Sequence, residues 1–346
     1  MGSSYTHLMF RRPTTFVIGA GCSKELDLPL GLGLMDDIYR TMMDTASPKY
    51  HALRGAFLRS GVANANTNVD LRFAAFSAGL SAAPSIDQYL DFHRDDEAMV
   101  ALGKCAIATE ILFAEANSAL GEAKVSGQLP SCWLRVLFHL MAEGTTKQRP
   151  RDLFDNVDFV CFNYDRTIEL FMLRAVMSLV HCDYDEARQV LRHLRVWHPY
   201  GVVGGYEIGQ PGISTTSVSF SDTRIDETSI LSAARGLRTF TEGMADDSER
   251  DTILSMLATA DQVIFMGFSY LDQNMKLLEL RPSRTAATRI VGTVHGMSST
   301  DAEIARNSIA SSLGGEKEFQ QVFRATSTFQ FRASELLGEL GKTLRS

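Results

Sequence analysis

Short, nearly continuous apolar runs that stop abruptly at small or polar residues constrain this chain more than any other feature. Thr14-Thr15-Phe16-Val17-Ile18 stops at Gly19-Ala20-Gly21, and Val157-Asp158-Phe159-Val160-Cys161-Phe162 runs into Asn163-Tyr164-Asp165. Gln262-Val263-Ile264-Phe265-Met266 reaches Gly267-Phe268-Ser269, and Arg289-Ile290-Val291-Gly292-Thr293-Val294 precedes a helical pattern. A strand covered on both faces has no need of polar alternation, so such runs read as central strands of a parallel sheet. Leu194-Arg195-Val196-Trp197, ending at His198-Pro199-Tyr200-Gly201, is a shorter strand, and Gln321-Val322-Phe323 is the weakest. Helical spacing separates them, at 168–180 with Asp165 placed to cap it, near Asp272, at 302–313 and at 333–344. Strands alternating with helices predict an α/β fold with a Rossmann-like doubly wound parallel sheet.

The stretch between the first two strands is too long for a simple crossover. Helical spacing recurs at 36–43, 101–120 and 132–141, and Ser85-Ile86-Asp87-Gln88 has the form of a capping box, with Asp87 in the first turn. Residues 36–151 are therefore expected to form a large helical insertion, a lid or an oligomer interface, within one fold spanning 13–346. No internal repeat or Pro/Ser-rich linker marks a second domain. Ser23 offers a helix N-cap, and Pro29 with Gly31 and Gly33 reads as a loop.

Composition narrows the function classes. Hydrophobic residues make up 45% and charged residues 22%, which excludes a disordered or charge-driven chain. With 34 Lys+Arg against 41 Asp+Glu, the net charge of −7 argues against direct nucleic-acid binding. The longest apolar stretch, 170–180, is interrupted by Arg174, so no membrane span is expected, and the N-terminus lacks the pattern of a secretory signal. The five cysteines form no Cys-x-x-Cys pair, which disfavours a disulfide framework and a thiolate zinc site and suits buried thiols in a reducing cytoplasm. His7, His51, His93, His139, His181, His193 and His295 show no metal-ligand spacing, so no metal is assigned.

Ligands of doubly wound sheets bind beyond the carboxyl ends of the strands, where the strand order reverses. Gly19-Ala20-Gly21 lets a backbone approach a pyrophosphate, but Lys24 stands where the third glycine of the dinucleotide fingerprint falls, and a Gly-x-Gly alone is also simply a tight turn. Each further candidate has its bland counterpart. Asn163 closes a turn, Asp165 caps a helix, Ser269 is an N-cap, and His198 packs between Trp197 and Pro199.

Together the motifs carry a resemblance. Gly19-Ala20-Gly21-Cys22-Ser23 with Leu28-Pro29 and Gly31, then Phe162-Asn163-Tyr164-Asp165, then Gly267-Phe268-Ser269 resemble, in order, the signature segments of sirtuins. The likeness is to the sirtuin-like, NAD-cleaving proteins of bacterial anti-phage defence. It covers 14–31, 157–169, 196–205 and 263–278, under half of the chain, and leaves the insertion unmatched. The resemblance implies an NAD+ glycohydrolase that releases nicotinamide and ADP-ribose in the cytoplasm. NAD would be its substrate, held by Gly19, Ala20, Gly21, Ser23, Pro29, Asn163, Asp165, Gly267 and Ser269. Asn163, His198 and Asp165 would be catalytic: Asn163 suits a water, Asp165 orients Asn163 or a ribose hydroxyl, and His198 takes a proton. It also implies a homo-oligomer and, as partner, a HerA-like ATPase or a short Argonaute.

Two departures matter. The Cys-x-x-Cys zinc pairs of protein-deacylating sirtuins are missing, which disfavours deacylation. The family's histidine directly precedes a glycine, whereas here Tyr200 precedes Gly201 and His198 lies two residues earlier, so either His198 fills that place through a shifted loop, or Tyr200 replaces it, or the chain is a poor catalyst. Tyr200 also favours a rival reading, a sensor that binds NAD or ADP-ribose without cleaving it.

Overall fold

A computed structural model describes residues 10–62, 68–121, 128–204, 224–245, 247–280, 284–315 and 318–345. Its strands are β1 (Thr14–Ile18), β2 (Val157–Cys161), β3 (Arg195–Trp197), β4 (Gln262–Met266), β5 (Arg289–Thr293) and β6 (Thr326–Phe329). They form one six-stranded sheet in the order β3-β2-β1-β4-β5-β6, every pair parallel. This is the order of doubly wound, Rossmann-like sheets, with the winding direction reversing between β1 and β4. All five residues of β1 and all five of β4 are buried, which is why neither run alternates. Successive side chains enter opposite cores. Val17, Val160, Val263 and Phe265 face one, and Phe16, Ile18, Phe159, Ile264 and Met266 the other.

Between β1 and β2 lie α1 (Ala20–Ser23), α2 (Gly31–Met43), α3 (Pro48–Arg59), α4 (Val69–Leu80), α5 (Ile86–Phe92), α6 (Glu97–Asn117) and α7 (Trp133–Ala142). The expected loop at Gly31 and Gly33 is instead the first turn of α2. The Leu34 N–H donates to the Leu30 carbonyl at 2.7 Å, and burial of Leu34, Ile38 and Met42 outweighs the low helix propensity of two glycines. Ser23 does not cap a helix but ends α1, where its hydroxyl has other partners.

The chain continues through α8 (Thr167–Val180), α9 (Tyr184–Leu191), α10 (Glu227–Ala234), α11 (Phe240–Ala245), α12 (Asp247–Thr259), α13 (Asp272–Leu277), α14 (Ser299–Gly314), α15 (Phe319–Ala325) and α16 (Ala333–Arg345). The helices of 36–151 do not form a separate body. Leu53, Phe57, Leu102 and Ile107 share one core with Ile230 and Ala233 of α10, while Trp133, Leu134 and Leu137 of α7 share the other with Phe171 and Leu336.

One expected strand is misplaced. Gln321-Val322-Phe323 belongs to α15, where Phe319 and Phe323 stack at 5.8 Å in the i, i+4 relation of a helix. The last strand follows at Thr326–Phe329, paired with β5. Gly205, Gly209 and Gly212, in the loop after β3, lie outside the described residues. Among the described residues no helix is long and apolar enough to cross a membrane.

Candidate functional site

The carboxyl ends of β1 and β4 meet where the strand order reverses, and two glycine turns lock there. The Gly19 N–H donates to the Met266 carbonyl at 3.0 Å and the Gly21 N–H to the Gly267 carbonyl at 2.9 Å. A Cβ on Gly19 would lie 2.6 Å from the Gly267 oxygen, and one on Gly21 2.7 Å from the Gly267 Cα. Gly267 itself has φ +57°, and its added Cβ would overlap the Cys22 amide nitrogen. The contact between the two turns therefore demands these glycines before any ligand does.

Gly267→Ala is expected to lower stability by about 2–4 kcal/mol, combining overpacking with left-handed strain. Gly31→Ala, with nothing near its Cβ position, should be neutral or stabilising. Urea unfolding midpoints of both variants check this, and equal midpoints would refute it.

Beside these turns, Ser23, Asn163 and Asp165 are joined. Ser23 Oγ donates to Asp165 Oδ2 at 2.7 Å and accepts from Asn163 Nδ2 at 2.7 Å. Asn163 Nδ2 also donates to the Gly19 carbonyl at 3.2 Å. Because a carbonyl only accepts, this contact fixes the amide orientation and leaves Asn163 Oδ1 as the acceptor the site presents. The N-cap of α8 is Arg166 rather than the expected Asp165, but Asp165 Oδ1, one residue earlier, accepts from the Thr167 N–H at 3.1 Å and its hydroxyl at 2.5 Å while Oδ2 holds Ser23. All three side chains are buried.

His198 lies behind this network. Its Nδ1 is 3.0 Å from the Asn163 carbonyl and its Nε2 is 2.9 Å from Glu169 Oε1. Burial disfavours its cation, but the Glu169 side chain at Nε2 favours it, and the His198 pKa is raised above the usual histidine value. Because the Asn163 carbonyl only accepts, Nδ1 donates to it, and Nε2 is taken up by Glu169, so neither ring nitrogen is open to a substrate. Tyr200, at the position before Gly201, is buried against Phe162 at 5.9 Å, and its hydroxyl donates to Asn274 Oδ1 at 2.7 Å. Burial, with Asp87 and Asp91 nearby, keeps that phenol protonated far above the usual tyrosine range. Burial likewise raises the Cys22 and Cys161 thiols, which lie beside the network as unreactive groups.

Ala20, Pro29 and Ser269 are not in the network. Ala20 and Pro29 are half-buried and Ser269 is exposed.

Several residues at the site were not singled out by sequence reasoning for the contacts they make. Tyr164 donates its hydroxyl to Asp87 of α5, and its carbonyl accepts from the Val203 N–H at 2.8 Å. Arg166, 1% exposed, pairs with Glu115 of α6, 0% exposed. The available signal was chemical: Glu115 lies in Ile-Leu-Phe-Ala-Glu-Ala (111–116), and a carboxylate on a buried helix needs a partner.

Burial pushes the Asp87 carboxyl up to about 6, against the pull of the Tyr164 hydrogen bond. Its folded pKa thus exceeds its unfolded one, so its stabilising contribution is complete below about pH 4 and lost as pH rises through about 6. The melting temperature of Asp87→Asn relative to the parent chain is expected to rise between pH 4 and pH 7; a constant difference contradicts the assignment.

Among the described residues no group of three His, Cys, Asp or Glu side chains could hold a metal ion. No protein-family model matches the chain, and no curated protein matches it.

Proposed function

We propose that this chain is an NAD+ glycohydrolase that releases nicotinamide and ADP-ribose, acting in the cytoplasm as the effector of a bacterial anti-phage defence system. One observation carries the reading: the buried Ser23–Asn163–Asp165 network stands at the carboxyl end of the sheet, at the reversal of strand order. Cleavage of the nicotinamide–ribose bond develops positive charge on the sugar, and a water must be held at one sugar face. Asn163 Oδ1, neutral and pre-oriented by two donors on its other atom, suits that water. Asp165 acts through Ser23 to keep the amide in place. Gly19, Ala20, Gly21, Ser23 and Pro29 would form one wall for the diphosphate, and Gly267 and Ser269 the other. His198 holds the Asn163 carbonyl, and a base role would require its release from Glu169. Triggering would come from self-assembly or from a HerA-like ATPase or short Argonaute.

A second reading, a sensor that binds NAD or ADP-ribose without cleaving it, is favoured by one specific observation. Both nitrogens of His198 are engaged and the Tyr200 hydroxyl is committed to Asn274. Incubation with NAD, alone and with each partner, separates the two. Nicotinamide release supports the hydrolase, and saturable binding without release selects the sensor. Neither binding nor release in any of these states discards both.

A further inference from the structure

The segment 163–166 leaves β2, the neighbour of β1, beside the reversal of strand order, and carboxylates from the insertion hold both residues that flank Asp165. On one side the Tyr164 hydroxyl donates to Asp87, in the first turn of α5. On the other, Glu115 near the end of α6 takes three donors from Arg166. Glu115 Oε1 accepts from the main-chain N–H at 2.8 Å and from Nε at 3.3 Å, and Oε2 accepts from Nη2 at 2.5 Å. Because one of the three is a main-chain donor, the peptide unit between Asp165 and Arg166 cannot rotate without losing its hydrogen bond to the carboxylate of a fully buried ion pair. The Tyr164 carbonyl also accepts from Val203, so the 198–203 segment bearing His198 and Tyr200 is tied to the same residue.

Resting on the site reading above, we propose that Asp87 and Glu115 are positioning residues, through which the helical insertion fixes the orientation of Asn163 and Asp165. The insertion is then neither a loose lid nor a bystander. How α5 and α6 seat on the strand ends sets whether the amide and carboxylate are aligned, and anything that shifts those helices is felt at the site. Apolar packing alone would have secured the insertion. Carboxylates aimed at donors of this one segment do something more specific, because each hydrogen bond has a direction and a length.

The test uses the full chain with Asp87→Ala, Asp87→Asn, Tyr164→Phe and the Asp87→Ala/Tyr164→Phe pair. Amide hydrogen exchange across 162–168 and the dissociation constant for NAD are both measured. Asp87→Ala and Tyr164→Phe are each expected to speed exchange in that segment about tenfold, the loss of one hydrogen bond to a charged group. The double variant should add nothing, since both remove the same bond. Asp87→Asn keeps an acceptor oxygen and should stay within about twofold of the parent chain. NAD binding should weaken in the same order. The proposal is overturned by unchanged exchange in Asp87→Ala, by acceleration spread equally over β1 and β5, or by Asp87→Asn behaving like Asp87→Ala. If the parent chain neither binds nor cleaves NAD, the functional reading fails, while the exchange pattern still decides the positioning role.

Discussion

Arg166→Ala is expected to remove about 3–5 kcal/mol of stability, the cost of leaving one member of a buried pair alone. Arg166 and Glu115 are 1% and 0% exposed, so water cannot replace the lost partner. Burial raises the Glu115 pKa, and the Arg166 guanidinium beside it is the chief influence pulling it down. Without that cation the carboxyl takes up a proton on folding, its folded pKa moving further above the unfolded one. Such a group stabilises below its unfolded pKa and loses that contribution as pH rises through the folded value, so the penalty in Arg166→Ala should shrink in acid. An apolar pair, Arg166→Met with Glu115→Leu, should recover part of the loss, because both side-chain desolvation costs disappear together while the main-chain N–H of residue 166 is left without its acceptor. Urea unfolding at about pH 7 and pH 5 checks all three statements. A single variant losing under about 1 kcal/mol would falsify the account. The apolar pair also separates two roles of the contact: it should restore the fold without restoring the hydrogen bond that the Arg166 main chain makes, and so should not restore NAD binding.

The sheet was legible where burial was nearly total. β1, β2, β4 and β5 announced themselves because strands covered on both faces carry nearly continuous apolar runs. β6 was not legible. Thr326-Ser327-Thr328-Phe329 is short, partly exposed and polar, while the preceding Gln-Val-Phe has β-forming residues that a helical i, i+4 aromatic pair claims instead. Strand order is set by which crossovers pack on which face, and no local pattern encodes it. Yet the residues at the strand ends already marked the reversal, since Gly19 and Gly267 are required by the contact made there.

At the site, Ser23, Asn163 and Asp165 were grouped by the resemblance, but the role of the Ser23 hydroxyl as the bridge between the other two was not legible, because 140 positions or more separate it from them. Ser23 even lent itself to a different role, as an N-cap, which its sequence neighbours allowed and its spatial neighbours do not. Asp87 shows the same limit from the other direction. Its place in the first turn of a helix was readable from Ser85 two residues before it, while its bond to Tyr164 depends on where the whole helix comes to rest. Long-range polar contacts of this kind have no sequence signature beyond a charged residue in an apolar setting.

Asn163→Ala is expected to lower nicotinamide release by about 10²–10³-fold, the usual loss when one pre-oriented polar group is removed from a reacting centre. Truncation deletes the Oδ1 acceptor and also leaves the Gly19 carbonyl and Ser23 hydroxyl without their shared donor. Asn163→Asp tests the orientation argument directly. It keeps the shape but puts a second acceptor against the Gly19 carbonyl, so an amide that must donate inward cannot be replaced by an isosteric carboxylate. Ser23→Ala should be milder, about tenfold, because Asn163 keeps its bond to Gly19 while losing the link to Asp165. The order Asn163→Asp and Asn163→Ala well below Ser23→Ala, with NAD affinity changing less than the rate, follows from a group that acts on the reacting water. If instead affinity falls as far as the rate in all three, Asn163 serves only to shape the pocket, and the sensor reading gains what the hydrolase loses.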